Sequence, residues 1–149
     1  MSYDIYIGQL ENGRVGEIFN PDAPLFSGDE MTGQSNGRHP GYRQWDEFCR
    51  EAGIFALFFG SNGLMVRHPG SQLLKTEHLD VIKNALEKRK KLINLTPGWC
   101  NCQKCDSFFR RNNNIKHVEY DNILARLLWL EYWVDWALKN CDCPSVYNC

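Results

Sequence analysis

Six of the seven cysteines fall in two groups late in the chain, Cys100-x-Cys102-x-x-Cys105 and Cys141-x-Cys143 with Cys149. Thiolates this close in sequence can share one tetrahedral zinc, because a tight turn brings both sulfurs inward. His117 adds an imidazole within reach of the first group. The spacing predicts one zinc with mostly thiolate ligands. In one arrangement Cys100, Cys102 and Cys105 recruit His117 or a tail thiol. In the other, the first group folds back and Cys141 and Cys143 supply the remaining ligands. Six thiols could also hold two ions through shared sulfurs. Clustered thiols in an intracellular chain favour metal over disulfides, and an iron–sulfur cluster is the lesser alternative. A thiolate cage with no open position is structural rather than catalytic. Zinc bound in near-stoichiometric amount, and its loss in Cys102→Ser, are the expected outcomes.

A second chemistry is written twice. Arg38-His39-Pro40-Gly41 and Arg67-His68-Pro69-Gly70 carry the same four residues, each after a Ser-Asn-Gly. If Arg38, His39, Arg67 and His68 converged, they could hold an anion or nucleotide, with a histidine as acid or base near neutral pH. Read plainly, they are two exposed turns. The basic runs Lys88-Arg89-Lys90-Lys91 and Arg110-Arg111 could hold phosphates beside Phe108 and Phe109, or cap a solvated helix end. Cys49 reads as a core residue. No Ser-His-Asp order, phosphate loop, dinucleotide fingerprint or HExxH motif is present.

The elements that must position these groups follow from periodicity. Tyr3 to Leu10 and Arg14 to Phe19 alternate around Asn12-Gly13, which predicts a β-hairpin. Asn20 to Gly41 is a loop rich in Pro and Gly that crosses the surface or caps a site. Tyr42, Trp45, Phe48, Cys49 and Ala52 mark one face of a helix stopped by Gly53. Ile54 to Phe59 reads as a buried strand, returned by Leu64 to Arg67 after the Gly60-Ser-Asn-Gly turn. Thr76 is the expected N-cap of a helix to about Ile93, with Leu79, Ile82, Leu86 and Ile93 as its stripe. A last helix runs from Val118 to Lys139, and Cys141 to Cys149 reads as an irregular tail.

That last helix is apolar on two sides. Ile123, Leu127, Leu130, Val134 and Leu138 share one face; Trp129, Tyr132, Trp133 and Trp136 share another. The aliphatic face must reach the core. The aromatic face is closed either by the cysteine-rich segments or by another chain, since Trp and Tyr dominate interface energetics. Trp129, Trp133 and Trp136 are therefore candidate binding residues, with Trp129 and Trp133 expected deepest.

The opening Tyr3-Asp4-Ile5, the aromatic helix Tyr42, Trp45, Phe48 closed by Gly53-Ile54, the Gly63 turn, the helix Leu79 to Leu86 and the helix around Ala125, Leu127 and Leu128 resemble a group of small proteins encoded by tailed bacteriophages. The segment Gln34 to Gly41 departs from that pattern, and the cysteine-rich stretches are extra. The resemblance implies a small phage accessory protein that meets a host or phage macromolecule.

Composition sets the outer bounds. The 149 residues are 43% hydrophobic, 23% charged and 13% aromatic, which is globular rather than disordered composition. A net charge of −1 excludes a wholly cationic polyanion binder. No apolar run is long enough to cross a bilayer, and the N-terminal residues lack a signal-peptide pattern, so a cytoplasmic protein without membrane contact is expected. The expected architecture is one α+β domain over 1–149: a small, mostly antiparallel sheet with about three helices, and a zinc-organised segment at 97–149. The expected function is a zinc-stabilised, non-enzymatic protein that binds a protein partner, in an oligomeric state open to a homodimer. The alternatives are a nucleic-acid-binding module using residues 88–91 and 110–111, and a small nucleotide enzyme using the Arg-His loops.

Overall fold

The computed structural model describes residues 1–26, 28–94 and 121–149. Strand β1 (Ile5–Glu11) turns through Asn12 and Gly13, both at positive φ (52° and 78°), into β2 (Arg14–Val15). Positive φ at both central residues is what a type I′ turn needs, so the Asn-Gly dipeptide makes the expected hairpin. After an irregular segment come β3 (Gly37–Arg38), helix α1 (Tyr42–Glu51), helix α2 (Phe55–Phe59), β4 (Gly70–Leu73), helix α3 (Thr76–Asn94), helix α4 (Asn122–Asn140) and β5 (Pro144–Asn148). The fold is α+β: a curled antiparallel sheet in the order β2-β1-β5-β4, with four helices among the described residues. β3 shares with β2 the edge of β1 that faces away from β5.

Four local expectations are corrected. Ile54 to Phe59 is not a strand but the short helix α2. Ile54 and Phe58, four apart, are buried while Ala56 is exposed, which is one-sided helical burial. Leu64 to Arg67 is not a partner strand: the Leu64 and Met65 N–H groups bond to the Leu57 and Phe58 carbonyls, folding that stretch back onto α2. Thr76 is the first helical residue of α3 rather than its cap. The Lys75 N–H is instead taken by His78 Nδ1 at 2.9 Å.

The fourth correction is the largest. The tail is β5, in the interior of the sheet, paired with β1 through Ile5↔Asn148 to Gln9↔Pro144 and with β4 through Gly70↔Asn148 to Leu73↔Ser145. Val146 sits fully buried beside Ile5 and Ile7.

Other signals hold. Gly53 at φ +74° ends α1, with its N–H on the Arg50 carbonyl and the Ile54 N–H on the Cys49 carbonyl. That is a Schellman cap, which requires a left-handed residue where glycine stands. Asp121 caps α4 by accepting the Leu124 N–H at 2.8 Å. Residues 118–120, expected in the same helix, lie outside the described residues, as does the side chain of Ile93.

Helix α4 is the centre of the core. Ile123, Leu127, Leu130, Val134 and Ala137 are buried, and so are Trp129 and Trp133. It packs on β1 and, antiparallel, on α3, where Leu79, Ile82 and Leu86 face it. The Arg89–Asp121 ion pair joins the C-terminal end of α3 to the start of α4.

Candidate functional site

The aromatic side of α4 is covered by the irregular segment between β2 and α1. Trp129 Nε1 donates to the Ser35 carbonyl at 3.2 Å, and the Arg38 guanidinium lies 5.8 Å from its ring centre. Asn20 donates to the Tyr132 hydroxyl. Asp29 accepts Arg126 Nε at 3.1 and 3.2 Å in a buried ion pair. Trp129 and Trp133 are therefore core residues, and Tyr132 and Trp136 are half-buried at the margin. The depth order expected for the four rings is observed. Among the described residues the cover is this segment; the cysteine-rich stretch 95–120 lies outside them.

Arg38 belongs to this cover and not to an open anion site. Its Nη1 donates to the Thr32 carbonyl at 2.6 Å and to the Glu30 carbonyl at 3.4 Å. Burial lowers its pKa while Glu17 pulls it back up, so the charge serves to staple the loop.

The two Arg-His-Pro-Gly loops do meet the same short stretch of chain, residues 3–5 ahead of and within β1. His39 Nδ1 donates to Asp4 Oδ1 at 2.7 Å and stands edge-on to Tyr6. His68 packs edge-on to Tyr3, ring centres 5.0 Å apart, and its Nδ1 donates to Asn148 Oδ1 at 2.6 Å. Asn148 is buried and spends its Nδ2 on the Arg67 and Gly70 carbonyls, so its oxygen is the acceptor and His68 carries its proton on Nδ1. His68 Nε2 is then left to accept from the Tyr42 hydroxyl at 3.4 Å. Tyr3 and Asp4 are consecutive residues of extended chain, so their side chains take opposite faces. His39 and His68 are thus engaged on opposite sides of β1, each with its own partner. The structure brings the loops to one strand without joining their histidines in one site.

On the His68 side a row of rings reaches the surface. Phe55 lies 5.1 Å from Phe59, Phe59 6.4 Å from Tyr3, and Tyr3 4.5 Å from Tyr42, with His68 against both tyrosines. All four carbocyclic rings are half-buried and His68 is exposed. Burial, then the neighbouring Tyr42, pushes the Tyr3 phenol up, so it stays a neutral donor. The rim is ion-paired: Arg43 with Glu47, and Arg50 with Asp46. The Arg50 guanidinium lies 3.9 Å over the Phe55 ring. No spacing in the sequence announces this row, because its rings come from the residues ahead of β1, from two separate helices and from the loop before β4.

The thiols sort by position. Cys49 is fully buried in α1, where burial pushes its thiol far up, as suits an inert core residue. Cys141 and Cys143 are half-buried between α4 and β5. Burial, then Asp142 and Cys143, raises the Cys141 thiol. Cys149 is exposed at the far end of β5. Six residues of extended chain span about 20 Å, so Cys149 cannot share one ion with Cys141 and Cys143. Cys100, Cys102, Cys105 and His117 lie outside the described residues. Among the described residues, no group of three or more His, Cys, Asp or Glu is placed to hold a metal.

Of the basic runs, Arg110-Arg111 lies outside the described residues, Arg89 is taken by Asp121, and Lys90 approaches Glu87 at 3.9 Å. Two open depressions, about 300 and 370 Å³, lie beside Tyr132 and beside His78. Neither holds His39 or His68. No helix of the described residues is long and apolar enough to cross a membrane. Protein-family models, curated proteins and solved structures were all compared with the chain, and none matches it.

Proposed function

We propose that this is a zinc-stabilised, non-enzymatic interaction protein that binds another protein through the ring row Phe55, Phe59, Tyr3, Tyr42 and His68. The observation that carries the reading is the contiguity of these half-exposed rings on one surface. Aromatic side chains offer large contact area at low entropic cost, and they are enriched in protein interfaces. The ion-paired rim of both signs suits a protein rather than a polyanion. The two histidines, separately engaged across β1, favour binding over acid–base chemistry. The proposal keeps the phage accessory role implied by the resemblance.

Affinity capture with the wild-type chain and with a folded Tyr42→Ser/Phe59→Ser variant tests the reading. A protein retained by the first and lost by the second is expected. Equal retention by both overturns it. So does retention of nucleic acid alone, weakening linearly with the logarithm of salt, which is the signature of phosphate binding.

Zinc is part of the same proposal, with ligands drawn from Cys100, Cys102, Cys105, His117, Cys141 and Cys143. Near-stoichiometric zinc is expected in the purified chain. It should be lost in Cys102→Ser. A site that includes Cys141 and Cys143 should keep it in Cys149→Ser, because Cys149 stands about 20 Å of strand away from those thiols. Loss there assigns Cys149 as the tail thiol recruited by Cys100, Cys102 and Cys105. Metal-free protein that melts like the native preparation would remove zinc from the proposal.

A further inference from the structure

The hydrogen-bond phase of the sheet decides which backbone groups of β4 are free. The Leu74 N–H bonds to the Pro144 carbonyl, and the register pairs Leu73 with Ser145 and Ser71 with Tyr147. In an antiparallel ladder hydrogen-bonded pairs alternate with non-bonded ones. Residues 70, 72 and 74 therefore bond inward to β5. The N–H and C=O groups of Ser71 and Leu73 point off the sheet. β4 is the last strand in the order, and among the described residues no hydrogen bond engages these four groups.

This edge is short, at four residues, but it has none of the other features that keep an exposed strand single. Sheet proteins protect free edges with charge, proline or a bulge. Gly70-Ser71-Gln72-Leu73-Leu74 contains no charge and no proline, and its register with β5 runs without a bulge. Leu73 is 46% exposed and Val66, just upstream, 50%.

We infer that the β4 edge pairs antiparallel with the β4 edge of a second copy of this chain. The edge is complementary to itself. With a two-fold axis at Gln72, Ser71 of each copy faces Leu73 of the other, and every outward N–H meets an outward C=O. The pairing is isologous and closed. Leu73 crosses to the Ser71 side chain on one face of the joined sheet, and no like charges are set opposite each other. Pro69 and Lys75 bound the paired stretch. The ring row of the proposed function is a different surface, so the two ideas fail separately.

Sedimentation equilibrium of the full chain tests the pairing. The wild type is expected to approach twice 17.3 kDa as concentration rises. Ser71→Pro deletes an outward N–H and no ladder bond, so it should leave a folded monomer. Leu73→Lys, which places charge on the edge, should do the same and covers the case in which the proline variant fails to fold. A wild type that stays monomeric overturns the inference, including the case where a foreign extended peptide occupies the edge. A folded variant that dimerises as tightly as wild type also overturns it.

Discussion

Trp133→Ala is expected to cost about 3–5 kcal/mol of unfolding free energy, the range for removing a large buried aromatic. Trp133 is fully buried in α4, with Tyr132 and Trp136 packed edge-on at 5.2 and 5.5 Å. Its indole N–H has no hydrogen-bond partner among the described residues, so the loss is packing and burial rather than a broken polar contact. Alanine leaves a cavity between rings that belong to a tightly packed helix, and such a site collapses poorly. Urea unfolding followed by circular dichroism measures the change. Trp136→Ala, at the half-buried margin, should cost clearly less. Equal costs at the two positions, or a loss under about 1 kcal/mol at Trp133, would mean that this face is not core.

Asp29→Ala should cost a similar amount, about 3–5 kcal/mol, because it leaves a buried cation without its carboxylate. The side chains of Asp29 and Arg126 are 4% and 14% exposed, and Arg126 Nε meets both carboxylate oxygens. Asp29 Oδ1 also accepts the Met31 N–H at 3.0 Å. The ion pair is therefore the clamp that holds the segment between β2 and α1 over α4. Amide hydrogen exchange should show the consequence first in that segment, around Met31 to Asn36, before global unfolding. A variant with unchanged exchange there, or a loss within the range of surface substitutions, would show that the clamp lies elsewhere.

The clamp changes what the tryptophans mean. Four rings on one helix face read equally as a core surface or as an interface, since both bury aromatic area. The choice depends on whether another part of the same chain reaches them. Ser35, Arg38 and Asn20 do, from about a hundred residues away in sequence. Arg38 shows the same shift. As part of a repeated Arg-His-Pro-Gly it suggested an anion site, yet its guanidinium is spent on loop carbonyls.

What was legible in the sequence was local. Asn12-Gly13 needs left-handed backbone at both positions and makes its hairpin. Gly53 needs it at one and ends α1. The stripe of α3 and the two-sided apolar character of α4 follow from a 3.6-residue period that no tertiary contact had to supply. Cys49 could be assigned to the core because it shares a helix face with Trp45 and Phe48. Pairing partners could not be assigned this way. β5 holds only Val146 and Tyr147 as strong strand formers, and its neighbours are β1, far back in the chain, and β4, which has none. Strand pairing draws its energy from distant backbone groups and shared burial. Residues 144–148 are a strand only because Ile5 to Gln9 lie beside them. The same placement sends Cys149 away from Cys141 and Cys143, sets His39 and His68 on opposite faces of β1, and lines up Tyr3, Tyr42, Phe55 and Phe59 on one surface. Residue types and their periods determined which chemistry the chain carries; which of those groups meet was decided by long-range pairing, which no local pattern encodes.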